Sequence, residues 1–224
     1  MKNMTRLAVL VLTLILASSF GGNKKWIVLF DGTNIDAWRN YKSETVSDKW
    51  QIVNNELMLT EKGGGDIMTK ETFKNFVLEL EWKISEGGNS GIFFNVHESD
   101  EHNKVYSTGP EVQILCESAC EGRPDNECAG ANYAMHAPTQ KVAKPTGEWN
   151  KVKLVVKNGK VQQWLNGVKV VEYELWSEDW EKRVNDCKFK NFPGYGKYKE
   201  GHIALQDHGN QVWFKNIRIK RLKD

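Results

Sequence analysis

The chain has 224 residues and a formal net charge of +2, with 27% charged and 40% hydrophobic residues. Acidic and basic residues are interspersed, which excludes the concentrated basic surface typical of nucleic-acid-binding proteins. Nine tryptophans and six tyrosines are a high count for this length, and such rings serve either a β-sheet core or the apolar faces of sugars.

Residues 1–22 are predicted to be a secretory signal that is not part of the fold. A basic start is followed by an apolar run from Leu7 to Leu16 and by the small residues of a cleavage site, Ala17-Ser18-Ser19. The apolar run is too short to span a membrane. No cysteine lies near the cleavage site, as a lipoprotein would require. Residues 23–224 are therefore expected to form one domain, periplasmic or secreted, that is not held in a membrane.

The rest of the chain has the pattern of successive short strands. Two Asn-Gly pairs between alternating runs are the strongest hairpin signals. Strands are predicted at Trp26–Phe30, Trp50–Val53, Glu56–Thr60, Ile67–Thr69, Phe76–Ile84, Ile92–Val96, Glu111–Leu115, Trp149–Lys157, Val161–Leu165, Val168–Tyr173, His202–Gln206 and Val212–Leu222. A long irregular insertion runs from Glu117 to Pro145, and one short helix is expected within Ser177–Lys188. The pattern predicts an all-β, jelly-roll sandwich of two antiparallel sheets.

Polar residues alternate with apolar ones on three successive strands in the middle of the chain. Phe76–Ile84 alternates with period two, and the next two strands carry asparagine, glutamate and glutamine at alternate positions. An antiparallel sheet with one face in water is one explanation. The other is that the three strands form the floor of a site for a polar ligand.

All four cysteines lie in the second half of the chain, at 116, 120, 128 and 187. An even number in an exported protein indicates disulfides, and three pairings are possible. Cys120–Cys128 is the easiest closure, because Gly122 and Pro124 allow a compact loop between them. A metal site that joins these thiols to His136 is the alternative, but the spacings match no common zinc pattern. No cofactor is predicted, and a requirement for a divalent metal is left open.

Several acidic and amide side chains are candidates for a catalytic site. Glu79 and Glu81 are two residues apart on one strand, which places their carboxylates about 6.5–7 Å apart on one face. That separation is close to the range for paired glycosidase carboxylates. The remaining candidates share positions at strand edges or beside glycines, and they are Asp66, Asn89, Glu111, Gln113, Asp207 and His208.

These motifs occur together, in order, along nearly the whole of residues 23–224. The segments concerned are Leu29–Gly32, Asp66–Lys70, Asn75–Trp82, Gly88–Ile92, Gly109–Leu115, Lys144–Asn150, Trp164–Gly167, Gly201–Gly209 and Phe214–Ile217. In these segments the chain resembles the 3-keto-disaccharide hydrolase family, also described as 3-keto-glucoside lyase/hydratase. The resemblance implies a concanavalin A-like sandwich and a carbohydrate ligand. The cysteine-rich loop is not a general feature of that family.

The resemblance also implies chemistry on a sugar with a ketone at C3. The ketone makes the C2 proton acidic, so that a base can remove it and the glycosidic oxygen can leave C1 by β-elimination. Glu111 and Glu81 are the candidates for base and acid, in either order, with His208 as a third catalytic residue. Gln113 and Asn89 are expected to bind O3 or the hydroxyls, together with Asp66 and Asp207.

Two other functions remain open on the sequence alone. One is a conventional glycoside hydrolase of concanavalin A-like fold that uses two carboxylates. The other is a carbohydrate-binding module without chemistry, because the same fold and an aromatic-rich sheet are sufficient for lectins.

Overall fold

A computed structural model describes residues 25–224, so the predicted secretory signal lies outside the described residues. This part of the chain contains thirteen strands and two short α-helices. The strands are β1 (Ile27–Phe30), β2 (Trp38–Asn40), β3 (Trp50–Val53), β4 (Glu56–Leu59), β5 (Ile67–Thr69), β6 (Phe76–Ile84), β7 (Asn89–Val96), β8 (Glu111–Leu115), β9 (Asn150–Lys157), β10 (Lys160–Leu165), β11 (Val168–Glu174), β12 (His202–Leu205) and β13 (Val212–Arg221). The helices are α1 (Glu117–Cys120) and α2 (Glu178–Asp186), and 3-10 turns lie at Val105–Ser107, Asp125–Glu127 and Lys188–Asn191.

The strands form two antiparallel sheets. The large sheet has the order β11-β10-β9-β6-β13-β4-β3, with β1 also paired to β13. The small sheet has the order β2-β5-β12-β7-β8. The prediction of an all-β sandwich is confirmed, and β2 is a strand that the sequence pattern did not indicate. Among residues 25–224, no helix is long and apolar enough to cross a bilayer.

The core lies between the two sheets and follows from the period-two alternation. On β6, the residues from Phe76 to Ile84 are alternately buried and half-buried along the whole strand. The small sheet contributes apolar side chains such as Val112 and Ile114 of β8 to the same cluster. Because alternate residues of a strand point to opposite faces, the other side chains of β6 and β8 lie on the outer faces of the sandwich.

The outer face of the small sheet is itself partly covered. A second, smaller apolar cluster lies there, with Phe93 of β7, Val105 of the first 3-10 turn and Ala204 of β12 among its members. The polar side chains of Glu111 and Gln113, on β8, are buried on the same face. This covered outer face is the part of the fold that creates a cavity.

The predicted hairpins form as expected, because their turns depend on local chemistry. The residues of the Asn-Gly turn between β9 and β10, Asn158 and Gly159, have φ values of 49° and 83°. Asparagine tolerates this left-handed region better than most residues, and the tight hairpin turn requires it.

The predicted helix is α2, where the Ser177 side chain accepts a hydrogen bond from the backbone N–H of Trp180 at 3.2 Å.

One prediction about the sheets is wrong. β6 does not lie beside β7 and β8, because it pairs with β9 and β13 in the large sheet. The turn between Ser85 and Gly88 carries the chain from the large sheet to the small one. The polar residues of β6 therefore cannot share a floor with those of β7 and β8.

Candidate active site

A cavity of about 330 Å³ opens on the outer face of the small sheet. Its floor comes from β7 and β8, its walls from the 3-10 turn after α2 and from two loops, and its rim from the turn after β12. The lining residues are Asn89, Tyr106, Glu111, Gln113, Tyr133, Lys188, Phe189, Phe192, Gln206 and His208. The cavity thus combines apolar aromatic walls with a small number of polar groups, as ligand sites commonly do.

Glu111 is the carboxylate of this cavity, and it is unusually buried. Its side chain is 6% exposed, and burial raises its pKa from the ordinary value of 4.5 to about 8. The charge of nearby Lys188 acts in the opposite direction, while Asp66 raises the pKa further. Glu111 is therefore a stronger base than an exposed carboxylate, and near neutral pH it can both accept and donate a proton.

Gly91 makes room for this carboxyl group. It lies on β7 beside β8, and a Cβ atom at position 91 would overlap the Oε1 atom of Glu111. Only a glycine leaves the space above the strand that the carboxylate occupies.

Gly91→Ala is expected to displace the Glu111 carboxyl group and to lower kcat by about 100-fold, the typical effect of misplacing a catalytic group by about 1 Å. The measurement is kcat on a 3-keto-glucoside, together with a thermal melt to confirm folding. Gly87→Ala is the control for strain without displacement of Glu111, because Gly87 has a φ of 64° that disfavours alanine although a Cβ there meets nothing within 4 Å; it should lower the melting temperature and keep normal kcat. A folded Gly91→Ala protein with normal kcat would contradict the role given to this glycine.

Two amide oxygens in the cavity have no hydrogen-bond partner among residues 25–224. They are the Oε1 atoms of Gln113 and Gln206, both buried. The orientation of Gln113 follows from its amide nitrogen, which donates to Oδ1 of Asn89 at 3.2 Å. A buried acceptor without a partner is costly, so both oxygens are suited to accept hydrogen bonds from the hydroxyl groups of a ligand.

Lys188 supplies the positive charge of the cavity. Its ammonium group lies 4.3 Å from the ring centre of Tyr133, which belongs to the long insertion before β9. Phe189 follows it and stacks on Tyr195 with ring centres 3.7 Å apart, which anchors this turn to the core. Lys188 and the aromatic walls could not be predicted from the sequence, because no local pattern indicates that these loops fold over the small sheet.

Asp66 and Asp207 lie beside the cavity rather than in its lining. Asp66 accepts a hydrogen bond from the backbone N–H of Asp207 at 3.0 Å, and burial raises its pKa to about 6. The Asp207 carboxylate accepts from the backbone N–H groups of Gly63 and Gly65, each at 2.9 Å, and from Gly209 at 2.8 Å. The Asp207 oxygens thus hold two loops together and fix the turn that carries His208, while substrate binding by Asp207 stays a prediction.

Glu81 is not part of the cavity, which corrects its prediction as a catalytic partner of Glu111. It lies on β6, half-buried on the outer face of the large sheet, and the hydrophobic core separates the two carboxylates. Its Oε1 atom accepts a hydrogen bond from Asn216 at 2.9 Å. The candidates that the structure brings together are Asn89, Glu111, Gln113 and His208.

The cysteine-rich loop contains one disulfide, Cys120–Cys128, with Cα atoms 5.4 Å apart. The prediction of at least one disulfide, and of this closure as the easiest, is confirmed. Cys116 and Cys187 are free thiols. Within the part of the chain that the structure describes, no group of three or more His, Cys, Asp or Glu residues is arranged to hold a metal ion.

Residues 25–220 match the family described as the 3-keto-alpha-glucoside-1,2-lyase-like domain. The chain belongs to this family. A 3-keto-disaccharide hydrolase of Bacteroides thetaiotaomicron is 36% identical, and the match covers 88% of this chain and 78% of that relative. The family and this relative identify the chain as a glycoside-cleaving, sugar-active enzyme.

Solved structures agree with this family and with the fold. A crystal structure from Parabacteroides distasonis, described as a candidate glycosyl hydrolase, has a TM-score of 0.82 and 35% identity, covering 88% of this chain and 94% of that chain. A Bacillus subtilis protein with a galectin-like fold has a TM-score of 0.56 and 12% identity, covering 88% and 94%. At that identity the second likeness shows the fold alone, and it is a jelly-roll sandwich.

Proposed function

We propose that this enzyme cleaves glycosides whose sugar carries a ketone at C3, by removing the C2 proton and eliminating the glycosidic oxygen from C1. The observation that carries the proposal is the cavity with one buried carboxyl group, Glu111, close to the ammonium group of Lys188. A base and a fixed positive charge are the two groups that formation of an enolate requires. The family and the B. thetaiotaomicron 3-keto-disaccharide hydrolase support a 3-keto sugar as the substrate.

In the first step the Glu111 carboxylate takes the C2 proton, and the electron pair of the C–H bond forms the enolate across C2 and C3. Lys188 stabilises the negative charge that develops on O3. The enolate then collapses to an enone with a double bond between C1 and C2, and the bond from C1 to the glycosidic oxygen breaks. His208, exposed at the rim, is the group we assign to protonating that oxygen.

Adding water across the new double bond completes a net hydrolysis. The hydroxyl group goes to C1, and a proton returns to C2 from the protonated Glu111 carboxyl group. The raised pKa of Glu111 suits both directions of this transfer, because the group can accept a proton and give it back near neutral pH. Gln113 and Gln206 would hold the sugar through its hydroxyl groups.

A conventional two-carboxylate glycosidase is the less favoured mechanism. Such enzymes place two carboxyl groups about 5–9.5 Å apart around the scissile bond. Glu111 is the one carboxylate among the residues that line the cavity. Glu79 and Glu81 form a pair elsewhere, on the large sheet, where Arg218 binds Glu79 at 2.6 Å.

We also propose that the protein is exported, with residues 1–22 as the secretory signal. The Cys120–Cys128 disulfide supports this proposal, because disulfides persist mainly in oxidising compartments.

The proposed function is tested by incubating the enzyme with a glucoside and with its 3-keto derivative. Turnover of the keto sugar alone, with a transient enone absorbance, is the expected result, because the unoxidised sugar has no acidic C2 proton. Turnover of the unoxidised glucoside at a comparable rate would indicate a conventional glycosidase instead.

A further inference from the structure

A groove of about 590 Å³ lies on the outer face of the large sheet and plays no part in the proposed chemistry. It crosses five neighbouring strands, β1, β13, β6, β9 and β10. The core separates it from the cavity that contains Glu111. We call it the outer groove, and the lining residues used below are Val28, Glu79, Glu81, Trp164, Asn216 and Arg218.

A break in the regular strand pairing shapes the outer groove. On β13, Lys215 pairs with Glu81 and Arg218 pairs with Glu79, so two residues of β13 face one residue of β6. Asn216 lies in this bulge with a φ of 52°, in the left-handed region. Bulges redirect side chains and are common next to binding sites.

The charges of the groove balance one another. Three acidic and three basic side chains line it. Arg218 binds Glu79 through two nitrogens, at 2.6 and 3.0 Å, and the amide of Asn216 binds Glu81 at 2.9 Å. A groove without excess charge favours a neutral ligand over nucleic acid or an acidic polymer. Side chains fixed by such pairs lose little entropy when they hydrogen-bond a ligand.

Apolar surface accompanies these polar groups. Val28 is 57% exposed and is one of two large hydrophobic residues exposed within residues 25–224. Trp164 lines the groove half-buried, with its indole N–H buried and the ammonium group of Lys153 3.9 Å from its ring centre. A neutral molecule with many hydroxyl groups and apolar C–H faces matches this combination, and a saccharide has these properties.

We infer that the outer groove is a second, non-catalytic binding site for a neutral oligosaccharide. Four strand spacings of about 4.8 Å give it a length of about 19 Å, which suits several sugar rings rather than one. Because the two sites lie on opposite faces of the sandwich, the groove holds a glycan chain independently of the reaction at Glu111. A failure of the proposed mechanism would therefore leave oligosaccharide binding in the groove unaffected, and the reverse also holds.

The test is titration of the folded protein with cellohexaose, maltohexaose and laminarihexaose. Binding is measured by calorimetry and by the shifts of the tryptophan indole N–H signals in ¹H–¹⁵N spectra. The Trp164 signal is assigned by its loss in Trp164→Phe. We expect at least one hexaose to bind with a Kd below about 1 mM and to shift the Trp164 signal. Asn216→Gly with Trp164→Phe should weaken that binding at least about tenfold.

Two controls locate the binding. Glu56→Gln, which alters an ion pair with Lys83 elsewhere on the large sheet, should leave hexaose affinity unchanged. Gln206→Ala, in the catalytic cavity, should also leave it unchanged. The groove variant should turn over a small 3-keto-glucoside at the wild-type rate. The inference would be overturned if none of the three hexaoses bound or if binding left the Trp164 signal unshifted. It would also be overturned if Gln206→Ala lost hexaose binding while the groove variant kept it.

Discussion

Replacing Glu111 with glutamine is expected to lower kcat for a 3-keto-glucoside by about 100- to 10,000-fold, the usual cost of losing a general base. The amide keeps the shape of the carboxyl group but cannot accept the C2 proton. The measurement is steady-state kcat with a thermal melt on the same sample. Glu81→Gln is the matched control, because this residue lies on the large sheet away from the cavity, and it should keep near-normal kcat.

The pH dependence gives this variant a second readout. The carboxylate is the active form of a base, so kcat/KM of the wild type should rise with pH and level off above the pKa of about 8. Glu111→Gln should lack this rising limb. An activity that instead falls through pH 8 would make Glu111 an acid, and an unchanged kcat in the variant would remove it from the mechanism.

As pH rises, the stability of the folded protein should fall while its activity increases. The pKa of Glu111 in the folded protein lies above its ordinary value of 4.5, so the folded state holds an extra proton between about pH 4.5 and 8. The contribution of this group to the free energy of unfolding is therefore lost as pH rises through that window. Glu111→Gln does not titrate, and its melting temperature relative to the wild type should increase between pH 5 and pH 9.

Lys188→Met is expected to lower kcat by about 100- to 1,000-fold, comparable to removing a group that stabilises a developing negative charge. Methionine keeps much of the aliphatic length and removes the charge. Because Lys188 lowers the pKa of Glu111, the rising limb of the pH profile should also move to higher pH. A merely structural role for Lys188 would not move that limb.

Lys190→Met is the matched control for this substitution. Lys190 lies in the same 3-10 turn, is exposed and does not line the cavity. It should keep normal kcat and the normal pH limb. Equal losses in both lysine variants would assign the effect to the turn as a whole rather than to the ammonium group at 188.

The strands and hairpins could be predicted because they depend on local patterns. The alternation of β6 and the Asn-Gly turns around β10 are readable within a dozen residues. Part of the cavity could be predicted for the same reason, since Glu111 and Gln113 are polar residues at alternate positions of a strand that is otherwise apolar.

The rest depends on contacts between distant segments. β8 and β6 have the same alternation of polar and apolar residues. On β8 it places Glu111 on the covered outer face of the small sheet, whereas on β6 it places Glu81 on the outer face of the large sheet. A period of two shows that a face is polar but not to which sheet the strand belongs. Lys188 and Tyr133 come from segments without regular periodicity, and they meet over the small sheet only through tertiary packing.

The most direct test of elimination through C2 uses a 3-keto-glucoside deuterated at C2, compared with the unlabelled substrate in water and in D₂O. Elimination through C2 predicts a primary isotope effect on kcat/KM or exchange of the C2 hydrogen with solvent, and neither should occur if water displaces the glycosidic oxygen directly at C1. Glu111→Gln should lose the exchange, whereas Glu81→Gln should keep it. Normal cleavage with no isotope effect and no exchange at C2 would contradict the elimination mechanism.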